Sequence, residues 1–580
     1  MHSLFNSDVS RLLRRHPAAI LFVLVTFVCL TRRPDQLFSA GVWVEEGVQF
    51  FPQFLENGPL FLFDHVNGYL IVPSKMVALL SYLTSFEYYP EASLFYTILI
   101  TTLVSVAILK SPTFLHFRFL AALAPVLVPS DPEIIAIGEY VFWQTSILGM
   151  LAVLWKPDAG RWLAQGSLIV IGGLSSPLII ALTPVFILRL IAFDTKRESL
   201  GVALALLVSL LQLSFLFSTG NNSAERGLFD AFFQYPLETV IMLVEKFLGD
   251  FVLNLNSPIS LVLGSLVFAG LITVCFRAMV ARNWAIPLLI LVLGTTGVTL
   301  LRIDINAIDA QGAGPRYFFL TYIVLPWIGL YAISEYGNIT RALVTAALGC
   351  SLLNLSGTYV RHHDPLNWQG AARACVNNAP ITPQQLTNRA ITYMRNPAVQ
   401  EASRFTPDQV TAWPTLYASY ELEGEASRDA TNRTVATREM ALGTGTRDHF
   451  TGRVTLRLAP DTPTRNVAIE FIAGPSTDNL QIEVIHSTGD TQVYQGTDLP
   501  SSSGDWGWYG FRDVNEITFV DNGVDWGQWI ALNGEVRLAP DEAFNTIFLM
   551  PVQFNGTRSR AWILELSHEQ CEGFDRLSVF

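Results

Sequence analysis

The chain has 580 residues, 51% of them hydrophobic and only 15% charged, with a mean hydropathy of +0.37. That balance excludes a soluble globular protein of this length and predicts a polytopic membrane protein. The 49 acidic residues outnumber the 37 basic ones, for a net charge of −12, which argues against a nucleic-acid partner.

Arg11, Arg14 and Arg15 precede the apolar run Ala18 to Leu30. It reads as a short first span rather than a signal peptide, because Arg32, Arg33 and Asp35 stand where the small residues of a cleavage site would be. The basic residues ahead of it put the N-terminus in the cytoplasm and the following loop outside. That loop opens with Trp43-Val44-Glu45-Glu46-Gly47-Val48-Gln49-Phe50-Phe51. Adjacent carboxylates at a lipid boundary are costly unless they serve a polar site, so the pair is a candidate functional centre, with a solvated loop as the bland alternative.

The segment Gly68 to Leu83 decides the topology. If it crosses, the clusters Lys110/Arg118, Lys156/Arg161, Lys196/Arg197, Arg277/Arg282 and Arg341 all fall outside, against the positive-inside rule. Read as an interfacial helix, with Pro73 and Lys75 inside it and Tyr69 and Tyr82 near its ends, it leaves all five in the cytoplasm. Arg32 and Arg33 then sit awkwardly on the outer side.

Further apolar runs cover Ala92 to Leu109, Phe114 to Val128, Val141 to Trp155, Leu163 to Leu174, Leu178 to Phe193, Leu200 to Phe217, Ile259 to Phe276, Ala285 to Leu301, Tyr317 to Ile333 and Ala342 to Leu355. With the first run they predict about eleven spans, several short for a ~30 Å hydrocarbon layer. The same assignment gathers acidic residues on the outer face, among them Asp131, Glu133, Glu139, Asp304 and Asp309. There Gln311 to Tyr317 forms a flexible turn that delivers Arg316 to the lipid boundary, where it either grips a phosphate or merely snorkels.

From Arg361 onward charge density rises and a soluble part begins. Pro383 to Phe405 reads as helical. Beyond Glu421 a period-two pattern predicts strands at Val454 to Leu458, Val467 to Ile472, Leu480 to Ile485, Ile517 to Val520, Trp529 to Leu532, Ile547 to Val552 and Trp562 to Leu566, hence a β-sandwich or jelly roll. The domains are therefore 1–356, transmembrane; 357–420, a connecting helical segment; and 421–580, an external β domain. Cys375 and Cys571 bracket the polar part and form a disulfide if it lies outside the cytoplasm. Trp506, Trp508, Tyr509, Trp526 and Trp529 read either as core or as a sugar-stacking platform, with core favoured. No metal-ligand spacing appears.

A short first span, an external loop opening on an acidic pair, many short helices and an external C-terminal domain resemble the GT-C superfamily of membrane glycosyltransferases. Trp43-x-Glu45-Glu46-Gly47-x-x-Phe50-Phe51, Gly68-Tyr69-Leu70-x-x-x-Pro73, Pro132-Glu133 with Trp143, Gly173 to Pro177 and Gly314-Pro315-Arg316-Tyr317 carry the likeness, which is to uncharacterised bacterial members and covers the first 355 residues. It implies transfer of a sugar from a polyprenyl-phosphate donor to a glycan or lipid acceptor outside a bacterial inner membrane. Glu45 is the first choice for the base that accepts the acceptor's proton and Glu46 the second. Arg316 and Tyr317 would meet the donor phosphate. Asp131, Glu133, Glu139, Trp143, His65 and Tyr69 would line the donor and acceptor sites, the carboxylates positioning the acceptor or a divalent cation. GT-C enzymes usually carry an Asp in the acidic pair, where this chain has Glu-Glu. The rival readings are a transporter or flippase of lipid-linked saccharides and a polysaccharide-assembly scaffold.

Overall fold

The structure, a computed structural model, describes residues 15–43, 46–218, 235–254, 257–297, 308–311, 314–361, 368–377, 392–395, 414–416, 418–426, 441–444, 450–460, 462, 465–474, 479–495, 507–523, 528–539, 562–565 and 568–577. It divides into a helical unit, residues 1–362 with 577–580, and a second unit, residues 363–576.

In the helical unit the apolar runs become α1 (Pro17–Arg32), α2 (Val72–Thr84), α3 (Tyr89–Lys110), α4 (Val141–Val153), α5 (Trp162–Gly173), α6 (Leu178–Phe193), α7 (Lys196–Ser218), α8 (Ser257–Val280), α9 (Ala285–Thr296), α10 (Phe319–Glu335) and α11 (Asn338–Gly357). Five helical stretches, Tyr89–Lys110, Lys196–Phe217, Pro258–Val280, Pro315–Glu335 and Asn338–Gly357, are long and apolar enough to cross a membrane. Charges in these stretches lie in or next to the terminal turns. Close helix packing rests on small residues, as at the α4–α5 crossing, where a Cβ on Gly172 would stand 2.3 Å from the backbone nitrogen of Gly149.

One sequence expectation needs correction here. Phe114 to Val128 is not one helix: Phe117 has φ 44, and beyond it lie only a short helix, Arg118–Leu123, and a 3₁₀ turn, Ala124–Val126, that contains Pro125. The segment read as an interfacial helix forms the 13-residue α2, about 20 Å long, and Lys75 on it turns into the fold. It is fully buried, and its ammonium donates to Gln53 Oε1 at 2.7 Å, Phe61 O at 2.8 Å and Asp64 O at 2.6 Å. Burial pushes its pKa down to about 8.

The helix directions sort charge to two ends. Lys110, Arg161, Lys196 and Arg341 stand at the ends of α3, α5, α7 and α11 remote from Glu46, whereas Tyr89 and Ser93 at the start of α3 touch Glu46. Gln212 of α7 fastens Leu70, just before α2, to the end of α5 by bonds to Leu70 N, Leu70 O and Gly173 O.

The second unit holds α12 (Trp368–Val376), then β1 (Thr392–Arg395), β2 (Thr415–Leu416), β3 (Ser419–Gly424), β4 (Ala441–Gly443), β5 (Gly452–Arg457), β6 (Val467–Ala473), β7 (Leu480–His486), β8 (Thr491–Gln495), β9 (Gly507–Phe511), β10 (Val514–Asp521), β11 (Ile530–Leu538), β12 (Trp562–Glu565) and α13 (His568–Leu577). One antiparallel sheet runs β3-β5-β10-β7-β8 and another β2-β11-β6-β9, with β4 also on β11. Val454, Ile482 and Phe519 of the first share a core with Ile469, Phe471 and Leu532 of the second. The expected strand Ile547 to Val552 lies outside the described residues. Within Pro383 to Phe405, read as helical, residues 392–395 instead form β1, whose Thr392-Tyr393 suits a strand and which pairs in parallel with β12. Cys375 and Cys571 are disulfide-bonded with Cα atoms 5.8 Å apart, tying α12 to α13. Tyr509 is core, stacked on Phe471. Trp508 and Trp529 alternate with inward neighbours and so point to the outer face of the same sheet. Trp506 and Trp526 lie outside the described residues.

Candidate active site

Glu45 lies outside the described residues; Glu46 begins a short π-helical turn, Glu46–Phe50. Its carboxylate is 2% exposed. Oε2 accepts from the Trp43 backbone N–H at 3.1 Å, and Oε1 accepts from Ser93 Oγ at 3.2 Å and, weakly, from the Tyr89 hydroxyl at 3.5 Å. Behind it Tyr82 stacks on Tyr89, with ring centroids 4.9 Å apart. The loop before α4 presses on the carboxylate at Gly138, where a Cβ would fall 2.5 Å from Glu46 Oε1 and 2.3 Å from Ser93 Oγ. Two residues earlier Ala136 holds φ 61, a conformation that L-residues other than Asn and Asp seldom adopt.

Trp43 joins Glu46 to a second carboxylate. Its indole N–H donates to the Tyr140 hydroxyl at 2.9 Å, and that hydroxyl donates to Glu133 Oε1 at 3.3 Å. Arg316, in the 3₁₀ turn Pro315–Phe318 before α10, donates from Nη1 to the same Glu133 oxygen at 2.6 Å and to the Tyr140 hydroxyl at 3.3 Å. Its guanidinium lies over the rings of Tyr317 and Tyr140, 5.0 and 5.8 Å from their centroids. Trp143 sets its edge against Tyr317 at 6.0 Å. Asp131 pairs with Arg361 at 2.6 Å, and Arg361 lies 5.8 Å from the centroid of Trp43. Exposure falls inward along this chain of contacts: the side chain of Arg316 is 30% exposed and that of Glu133 9%, and Glu46 is 2% exposed.

Two buried arginines brace the loop that bears these carboxylates. Arg32 donates to the carbonyls of Val126, Val128, Ser130, Thr358 and Tyr359. Arg33 forks onto both oxygens of Asp35 and donates to the carbonyls of Pro132, Glu133 and Ile135. Their awkward place in the topology has this local explanation.

Of the residues singled out by sequence, Glu46, Asp131, Glu133, Trp143, Arg316 and Tyr317 thus come together. Glu139 is buried in the same loop, its carbonyl accepting from Ser74 Oγ. Tyr69 touches the edge of the group through Phe142, 6.4 Å away. His65 does not join: it is exposed and packs on Phe215 of α7 at 6.3 Å. Sequence reading missed Tyr140 and Arg361; the latter carries no local signal, since its partner Asp131 is 230 positions away. Among the described residues no three His, Cys, Asp or Glu side chains converge as a metal site.

An almost wholly apolar cavity of about 670 Å³ opens between α8, α9 and α10, lined by Phe247, Phe268, Phe276, Leu293 and Thr321 among others. Thr321 is five positions along the chain from Arg316. No protein-family model matches the chain, and no curated protein sequence matches it.

Proposed function

We propose that this chain is an integral-membrane glycosyltransferase of GT-C type that moves a sugar from a polyprenyl-phosphate donor to a glycan or lipid acceptor. The observation that carries the reading is the single hydrogen-bonded group Glu46–Trp43–Tyr140–Glu133–Arg316, drawn from three remote stretches to one end of an apolar helical unit. Such a group combines the carboxylate an acceptor hydroxyl needs with the cation a leaving phosphate needs. The apolar cavity beside α10 offers room for a polyprenyl tail. The reading further takes about eleven crossings, an N-terminus in the cytoplasm, a bacterial inner membrane, and a β-sandwich or jelly-roll domain on the outer side.

In the reaction the bond from sugar C1 to the donor phosphate oxygen breaks and one from C1 to the acceptor oxygen forms. The acceptor's proton passes to a carboxylate, which sequence reading sought in Glu45 or Glu46, and the phosphate departs with the electron pair of the broken bond. No step is routed through a metal. The test is turnover by the purified full chain in lipid nanodiscs with a panel of polyprenyl-phosphate sugars and saccharide acceptors. We expect transfer by the wild type and at least about a tenfold loss in Arg316→Ala, whose charge stabilises the departing phosphate. Movement of an intact lipid-linked saccharide across the bilayer without any transfer would establish the transporter reading instead; against it stands the confinement of charge to the ends of the five long helices.

A further inference from the structure

Resting on the transferase reading, we propose that Glu133, and neither Glu45 nor Glu46, is the carboxylate that takes the acceptor's proton, and that in doing so it hands Arg316 over to the departing phosphate. The two described carboxylates of the hydrogen-bonded group differ in how they are held. Both oxygens of Glu46 accept hydrogen bonds from its immediate surroundings, and the buried side chain is packed against Gly138. Glu133 is anchored through Oε1 alone, by Arg316 and Tyr140. Its Oε2 is buried and has no hydrogen-bond partner among the described residues, and the same is true of Trp143 Nε1.

An orphaned buried acceptor and an orphaned buried donor cost free energy, of order 1–3 kcal/mol for each group. They border the same Arg316–Tyr317 pair: Arg316 binds Glu133 and Tyr317 packs against Trp143. A hydroxyl complements such a pair, because it donates to the carboxylate and accepts from the indole. Glu133 also lies next to the partly exposed Arg316, whereas Glu46 is 2% exposed and pressed by the loop at Gly138.

The ion pair couples two events. Before transfer the Glu133 charge neutralises Arg316 at 2.6 Å. Once Oε2 binds the proton the carboxyl is neutral, and the guanidinium charge is left for the phosphate at the moment the C1–O bond breaks. Protonation of the base and stabilisation of the leaving group are then one electrostatic exchange. Glu46 has a different task on this account: its acceptance from the Trp43 backbone fixes the indole that orients Tyr140.

The experiment compares wild type, Glu45→Gln, Glu46→Gln, Glu133→Gln and Arg316→Ala in nanodiscs, with kcat, the pH–rate profile and retention of sugar-free polyprenyl phosphate as readouts. Glu133→Gln is expected to lose about 10²- to 10⁴-fold in kcat together with the acidic limb of the profile. It should also hold polyprenyl phosphate more tightly, by roughly tenfold, because Arg316 is no longer neutralised; a merely structural defect would weaken retention. Glu46→Gln should lower kcat and leave the shape of the profile intact. If Glu45→Gln or Glu46→Gln removes the acidic limb and Glu133→Gln keeps it, the inference is overturned and the transferase reading stands. If the wild type transfers no sugar and phosphate retention ignores both Glu133 and Arg316, the two fall together.

Discussion

Arg33 and Asp35 form an ion pair whose side chains are 0% and 1% exposed, and the carbonyls of Pro132, Glu133 and Ile135 use what remains of the guanidinium. A buried pair is weak support for stability as such, but removing one partner strands the other, at about 3–5 kcal/mol. Arg33→Met should therefore destabilise the protein more than Asp35→Asn, because it orphans three carbonyls as well as a carboxylate. A double-mutant cycle on thermal unfolding in detergent reads the coupling, and additive single-variant effects would refute it. Gly138→Ala makes a sharper case: the new methyl would meet Glu46 Oε1 and Ser93 Oγ inside 2.6 Å, so a large drop in folded yield is expected, whereas Ala136→Gly, at φ 61, should be neutral or stabilising by about 1–2 kcal/mol. Much of this group was legible in the sequence, because carboxylates and an arginine beside apolar runs have few other reasons to be there. Tyr140 and Arg361 were not, since an aromatic next to a helix start and a basic residue after the last apolar run look ordinary until tertiary contacts assign them.

At the scale of elements, hydrophobic runs predict the helices well: among the described residues ten of the eleven runs hold the expected helix, with residues 298–301 of the run Ala285 to Leu301 outside that description. The exception, Phe114 to Val128, fails for a local reason: Phe117 in the left-handed region and Pro125 both interrupt i to i−4 bonding. The helix α2 shows the limit of composition in another way. A lysine and a proline in an apolar segment read as interfacial, and nothing local shows that Lys75 has three acceptors waiting for it inside the fold. Lys75→Met should loosen the segment Phe51–Asp64, because it leaves those acceptors buried without a donor, a cost of about 1–3 kcal/mol for each group; limited proteolysis or amide exchange across that segment measures it. The charge itself opposes folding. With the folded pKa near 8 against an ordinary 10.5, the penalty for Lys75 is present in full below pH 8 and is relieved as pH rises from 8 to 10.5. Wild-type stability should therefore gain a rising component over that window which Lys75→Met lacks.

At the scale of the whole molecule, two unlike units share one chain, and the disulfide bears on where the second one works. Cys375 and Cys571 close a span of 196 residues, and in the chain-entropy account such a closure is worth about 4–5 kcal/mol. That gain is available only in an oxidising compartment. The helical unit gives a separate argument for sidedness, because Lys110, Arg161, Lys196 and Arg341 stand at the helix ends remote from Glu46, the end that the positive-inside rule assigns to the cytoplasm, while the arginines near Glu46 are paired with carboxylates or spent on backbone carbonyls. The two arguments rest on different chemistry, redox poise and insertion charge, and the proposal that the second unit lies outside is tested through both. The prediction is therefore a pair of measurements on intact cells. Single cysteines introduced at exposed positions of the second unit, Glu425 or Asp490, should react with a membrane-impermeant maleimide, and one at Arg341, at the basic end, should react only after permeabilisation. In parallel, non-reducing peptide mapping should recover Cys375 joined to Cys571, with Cys29, Cys275 and Cys350 as thiols. Labelling of Arg341→Cys from outside, together with a reduced Cys375, would invert the chain in the membrane; it would then put the Glu133–Arg316 group on the cytoplasmic side, where a nucleotide-activated sugar would displace the polyprenyl-phosphate donor as the natural substrate class.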